Sequence, residues 1–188
     1  MKNAVAFFQM LVAECREVSG KVYCDDREWT KFMKQCVENV ISGLKKGIHV
    51  QYEYYRIDCI GWTQRKDEIN AQCEAVHMRP HLWELDAAVE YENNGDCWLD
   101  EVCKLAYIRC PLRVVISYGL ENAKDNIKLA KAILDKTDAF TDDDQEFLII
   151  LGHHANEFQK NQVNPCGFQG WRITKADMDK IAECKNQP

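Results

Sequence analysis

Leu85-Asp86-Ala87-Ala88-Val89-Glu90-Tyr91-Glu92-Asn93-Asn94 is the stretch on which the reading of the whole chain turns. Side chains alternate across a strand. An extended backbone here puts Leu85, Ala87, Val89 and Tyr91 on one face and Asp86, Glu90 and Glu92 on the other. The first face suits a core. The second sets three carboxylates side by side, and these repel unless a cation or a proton sits among them. A merely solvated strand face would more often mix in Lys, Thr or Ser. The spacing points to an oxygen-ligated divalent cation, Mg²⁺ above all, which keeps several waters when bound by carboxylates. An exposed acidic edge strand is the plainer reading of the same residues.

Working outward, the acidic strand spans about 82–92 and follows Pro80. Upstream, His49–Thr63 (HVQYEYYRIDCIGWT) is rich in aromatic and β-branched residues and reads as one long strand or a hairpin. Alternation places Tyr52, Tyr54, Arg56 and Asp58 on one of its faces. Residues 64–80 form a polar connection with a short helix near 67–76. Two helices come first, at 3–18 with Asn3 as cap and at about 27–46 behind Asp25/Asp26. Downstream, Asn93-Asn94-Gly95-Asp96 is a turn signal. Asp96 then caps a helix over 97–108 with Trp98, Val102, Leu105 and Ile108 as its apolar stripe. Leu112–Tyr118 (LRVVISY) is a short apolar run that suits a buried parallel strand, and Glu146–Leu151 (EFLIIL) reads as another buried strand after an amphipathic helix over 121–136. The tail from His153 to Pro165 looks irregular, and Asp177–Cys184 reads as a last helix. The order α–α–β–β–α–β–α–β predicts a mixed sheet with helices on both faces.

Composition agrees with an ordinary globular chain. At 188 residues, 46% hydrophobic and 29% charged, it is long enough for a core without metal or disulfide staples. One domain over 1–188 is expected. The net charge of −6 argues against a strong overall basic field for nucleic acid, although an acidic cleft and a local basic rim can coexist. Met1–Ala13 has an apolar run but lacks a signal-peptide cleavage pattern, and no run approaches a membrane span. A cytoplasmic protein with no membrane partner is expected.

Several other groups invite a chemical reading. Ten cysteines include no C-x-x-C pair and no zinc-type Cys/His spacing. Without a secretion signal they read as structural thiols. His153-His154 follows a strand, with Glu157 the nearest further ligand type, and a surface turn is the plainer reading. His77 and His81 flank a proline-containing loop. Asp142-Asp143-Asp144 lacks the rest of a calcium loop. No P-loop, Rossmann or G-x-S-x-G pattern occurs. Tyr52, Tyr54, Tyr55 and Trp62 have the faces to stack on bases, though packing alone would also enrich a strand in such residues.

The order of a helix, antiparallel strands carrying Asp58 and then Glu90-Tyr91-Glu92, a further helix, and the strand Val114-Val115-Ile116-Ser117-Tyr118 resembles the PD-(D/E)XK phosphodiesterase superfamily. The resemblance covers about residues 50–118, behind an N-terminal helical pair over 3–46. Asp58, in Arg56-Ile57-Asp58-Cys59-Ile60-Gly61, looks like the first acidic position. Glu90 follows it by 32 residues, close to the separation those motifs show. The resemblance implies a restriction-endonuclease-like mixed β-sheet flanked by helices on both faces. It further implies a Mg²⁺- or Mn²⁺-dependent endonuclease acting on DNA, with RNA a second substrate class and a homodimer as a common assembly.

The third motif position, usually Lys, is Glu92 here. Some restriction endonucleases resemble this chain in using Glu-x-Glu. Glu92 would then hold or deprotonate the attacking water. Alternatively Lys104, one turn beyond Glu101 on the next helix, supplies the positive charge. A catalytically inactive relative that binds nucleic acid or protein is the third reading. The expected site is Asp58, Glu90 and Glu92 on the metal with Lys104 as auxiliary. Asp86 and Glu101 border it, and Glu14 is a further carboxylate from the first helix.

Overall fold

The computed structural model describes residues 3–16, 18–65, 68–77, 83–93, 97–120, 123–153 and 167–181. In chain order these form α1 (Asn3–Glu14), α2 (Gly20–Tyr23), α3 (Asp26–Leu44), β1 (His49–Tyr54), β2 (Ile57–Gln64), α4 (Glu68–Ala75) and β3 (Trp83–Tyr91). There follow α5 (Trp98–Ala106), β4 (Leu112–Tyr118), α6 (Ala123–Lys136), β5 (Glu146–Gly152), β6 (Gln169–Ile173) and β7 (Met178–Ile181).

The strands make one mixed sheet in the order β1-β2-β3-β4-β5-β6-β7. β3, β4 and β5 run parallel at its centre, and the pairs on either side are antiparallel. Every residue of β4 and β5 is buried, as parallel strands covered on both faces require. Because the strand order never reverses, the crossover helices α5 and α6 lie together on one face. There Trp98, Val102, Leu105, Ile127, Ala130 and Leu134 pack with Ile60, Ala88, Val115 and Ile149. The N-terminal helices cover the opposite face, where Phe7, Phe8, Leu11, Met33, Val37 and Ile41 meet Cys59, Ala87, Val89 and Val114. Each such Leu or Ile side chain contributes about 1.5–3 kcal/mol by leaving water. α3 approaches β2 closely at Gly61, where a Cβ would fall 2.6 Å from Ile41 and 2.8 Å from Ile48.

Where sequence and structure differ, local geometry supplies the reason. His49–Thr63 is a hairpin, closed by Tyr55 and Arg56 with φ of 48° and 65°. The expected helix over 177–184 is instead strand β7 within the described residues, antiparallel to β6. Thr174 supports the turn between them by accepting from the Asp177 amide at 3.0 Å. The first helix stops at Glu14, and Gly20 begins the short α2 rather than following a longer helix. Asn3 is itself helical, and the Glu146 carboxylate accepts from the Ala4 amide at 2.8 Å. Glu146 also pairs with Arg172 on β6, so one buried carboxylate ties α1, β5 and β6 together. Asp25 does cap α3, accepting from Arg27 and Glu28. Asp96, His81, His154 and Glu157 lie outside the described residues.

Among the described cysteines, Cys15, Cys36, Cys59 and Cys110 are buried. No described helix is long and apolar enough to cross a membrane.

Candidate active site

Glu90 stands near the carboxyl end of β3, the end of parallel strands at which open α/β sheets bind ligands. It is 1% exposed and faces the α5 layer. β2 pairs with β3 so that Cys59 meets Val89. One step further in that register, Asp58 lies opposite Glu90, close enough for the two carboxyls to share a hydrogen bond. Asp58 Oδ2 also accepts from the Tyr91 amide at 2.9 Å, which fixes its orientation.

The amphipathic spacing of α5 buries Val102 and Leu105 and turns Glu101 and Lys104 toward this pair. The Lys104 ammonium donates to the Arg56 carbonyl at 3.0 Å. It lies 2.8 Å from Glu90 Oε1 and 2.5 Å from Glu101 Oε2. These two contacts pair the ammonium with a buried oxygen of each carboxylate. Positive φ at consecutive non-glycine residues costs on the order of 1–3 kcal/mol each. The same turn at Tyr55 and Arg56 presents the carbonyl that anchors Lys104.

The electrostatics follow from burial. Removal from water pushes the Glu90 carboxyl up to about 8. Lys104 opposes that rise, while the charges of Asp58 and Glu101 add to it. Burial likewise raises Asp58, against the Tyr91 amide, Glu90 and Lys104, which lower it. Burial pulls the Lys104 ammonium down, but the Glu101 and Glu90 carboxylates beside it outweigh this and hold it above its ordinary value. Two facing carboxyls in a poorly hydrated site thus retain one proton near neutral pH.

The remaining expected site residues fall in different places. Glu92 is one residue past the end of β3, its amide donating to the Ile116 carbonyl at 2.9 Å. Asp86 does not share the face of Glu90. The β2–β3 register shifts between Gly61 and Trp62, so that Trp62 pairs with Leu85 and Gly61 with Ala87. The extra residue breaks the alternation. Leu85 accordingly packs in the α5 and α6 layer while Ala87 and Val89 pack under α1 and α3. Asp86 pairs with Lys45 at the end of α3 (2.7 Å) and accepts from Thr63 (2.8 Å). Glu14 accepts from Asn39 of α3 at 2.8 Å, in the helical layer on the opposite side of the sheet.

A second break in alternation occurs at Glu53, whose φ is 53°. Tyr52 packs under α3, with its hydroxyl donating to Glu38 at 2.7 Å. Tyr54 turns to the other face and meets Trp83. Asp142 accepts from Thr141 and Gln145 within its own turn, and the His153 carbonyl accepts from the Tyr23 hydroxyl. Sequence reasoning missed the Arg56 carbonyl as the lysine's anchor. Tyr55-Arg56 is not among the Asn-Gly or Asp-Gly pairs that announce such turns.

Among the described residues, no group of three His, Cys, Asp or Glu side chains is arranged to hold a metal ion by itself. Mg²⁺ does not require one, since one or two carboxylates plus water and a substrate phosphate suffice. The Asp58–Glu90 pair fits that description. A divalent cation there would share the pair with the Lys104 ammonium, which already lies 2.8 Å from Glu90 Oε1. Comparison with known proteins adds no relative: no family model matches the chain, and neither a curated protein nor a solved structure matches it significantly.

Proposed function

We propose that the protein is a metal-dependent phosphodiesterase acting on nucleic acid, DNA first, on a restriction-endonuclease-like fold. The observation that carries this reading is the facing pair of half-buried Asp58 and buried Glu90 at the carboxyl end of β3, bordered by a lysine held in place from three sides. Support for the fold comes from the succession α3, antiparallel β1–β2–β3, α5 and parallel β4, the order on which the superfamily resemblance rests.

Hydrolysis joins a water oxygen to phosphorus, breaks one P–O ester bond and delivers a proton to the departing alkoxide. Asp58 and Glu90 would hold Mg²⁺, which supplies a more acidic water and charge relief at the phosphoryl oxygens. The Tyr91 amide orients Asp58 for that task. Lys104 places positive charge where phosphoryl charge develops, and Glu101 and the Arg56 carbonyl restrict its position. Glu92 stands at the end of the same strand as a candidate acceptor of the water's proton.

Glu90→Ala is expected to abolish Mg²⁺-dependent nicking of plasmid DNA while circular dichroism shows the fold retained. Robust cleavage by that variant would overturn the site. The second reading, a non-catalytic relative, is favoured by Lys104 already lying against two of the carboxylates. It requires that Mg²⁺ and Mn²⁺ titrations show no saturable site.

A further inference from the structure

On the face of the sheet that carries Glu90, five rings form an unbroken row. His49 stacks on Trp62 with centroids 4.5 Å apart and planes 27° from parallel. Trp62 meets Trp83 at 6.0 Å, and Trp83 meets Tyr54 edge-on at 5.7 Å. Tyr54 meets Tyr55 at 4.7 Å. A row serving only the core would be covered, yet His49 is exposed, Tyr55 is 83% exposed, and Tyr54, Trp62 and Trp83 are half-buried. Tyr55 adjoins Arg56, whose carbonyl holds Lys104, so this end of the row abuts the carboxylate site.

The other end, at His49, opens at the end of the sheet into a cavity of about 530 Å³ lined by Lys45, Lys46, His49, Thr63, Arg65 and Glu84 among others, with Lys45 and Thr63 reaching it from the α3 side. Three cations against one carboxylate make this wall basic on a chain whose net charge is −6. Lys45 and Arg65 are partly engaged by Asp86 and Glu84, at 2.7 and 3.7 Å. Both pairs are exposed enough for a phosphate to compete for the cations.

We propose that this row and the basic cavity form a track for single-stranded nucleic acid, with bases stacked on the exposed rings and a phosphate seated at Lys45, Lys46 and Arg65. The assignment deepens the nuclease reading by naming its substrate class, and it rests on that reading only in making a polynucleotide the ligand. Base-paired strands keep their base faces stacked on one another, whereas unpaired bases offer a face to each ring. The two ends of the track supply what a single strand needs: backbone charge neutralisation at one and stacking beside the carboxylates at the other.

The test is fluorescence anisotropy with labelled oligo(dT), labelled oligo(rU), and the duplex of oligo(dT) with its complement, all in EDTA so that binding is read without cleavage. Tighter binding of either single strand than of the duplex is expected, and which strand wins distinguishes DNA from RNA. Tyr55→Ala should weaken that binding at least about fivefold, the lower end of what one base–aromatic stack contributes. Tyr55→Phe should restore it. Lys46→Ala and Arg65→Ala should weaken binding and flatten its salt dependence. Tyr55, Lys46 and Arg65 are all exposed, so loss of the fold does not cloud the result. Equal or tighter binding of the duplex, indifference to Tyr55→Ala, or no binding of any of the three probes would overturn the track. Single-strand binding without Mg²⁺-dependent cleavage keeps the track and rejects the nuclease. Duplex cleavage with no single-strand preference does the reverse.

Discussion

Lys104 on α5 reaches the carboxyl end of β3 and places its ammonium 2.8 Å from the buried Glu90 carboxyl. This contact joins the α5 layer to the sheet at the point where sequence and structure both concentrate acidic groups. It also means that two elements must dock before the site exists, since Glu90 comes from the strand and Lys104 from the helix.

Removing the lysine should therefore register in stability and in rate. Lys104→Met leaves Glu90 and Glu101 without their cation. A fully buried pair cut this way loses about 3–5 kcal/mol, and a side chain 34% exposed loses less, about 2 kcal/mol. The penalty should shrink in acid, where the carboxyls carry protons and need no partner. Urea denaturation at mildly acidic and mildly alkaline pH checks this. Cleavage should fall by about 10²-fold or more, the scale of losing one preorganised charge stabiliser.

Glu90 should set a pH dependence of stability with an unusual sign. Its carboxyl is held up at about 8 against an ordinary value of 4.5. Between those values the folded protein binds the proton more tightly than the unfolded chain does, so stability falls as pH rises through this window. Asp58, also raised, contributes in the same direction from lower pH. Glu90→Gln removes the ionisation. Thermal melts should show the variant more stable than the parent at and above pH of about 8, by on the order of a few kcal/mol. A parent protein whose stability climbs between mildly acidic and neutral pH would contradict the assignment.

Asp86 offers the internal contrast. It belongs to the same acidic strand, but the bulge turns it to Lys45 and Thr63 on the other side. Asp86→Asn should cost about 1 kcal/mol or less, as for other partly exposed ion pairs. The cleavage rate at saturating substrate should be unchanged. Loss of cleavage in this variant would move the chemistry to the opposite face of the sheet.

The mixed sheet was legible because β4 and β5 are short, mostly apolar runs and α3, α5 and α6 have clear helical spacing. Asp58 and Glu90 were legible because a simple antiparallel register joins them. What escaped was every departure from strict alternation. The register shift at Gly61/Trp62 redirects Asp86, and the left-handed φ at Glu53 redirects Tyr54. Neither residue type announces the change, because a bulge depends on how a partner strand pairs and not on local propensity. Strand β7 was hidden for a related reason. Met178-Asp179-Lys180-Ile181 has little strand character of its own and is extended by pairing with β6, where Arg172 also faces Asp179 at 3.3 Å.

Metal binding should report on the shared proton directly. A carboxyl held at about 8 is mostly protonated at neutral pH, and a divalent cation can take its oxygen only by displacing that proton. Mg²⁺ or Mn²⁺ affinity should therefore rise about tenfold per pH unit below this value and level off above it. Calorimetric titration in buffers of different ionisation enthalpy should find about one proton released per metal ion near neutral pH. Glu90→Gln should abolish both the proton release and most of the affinity, whereas Asp86→Asn should leave both in place. Tight metal binding with no proton release, unchanged in Glu90→Gln, would locate the cation elsewhere on the molecule and separate it from the Asp58–Glu90 pair.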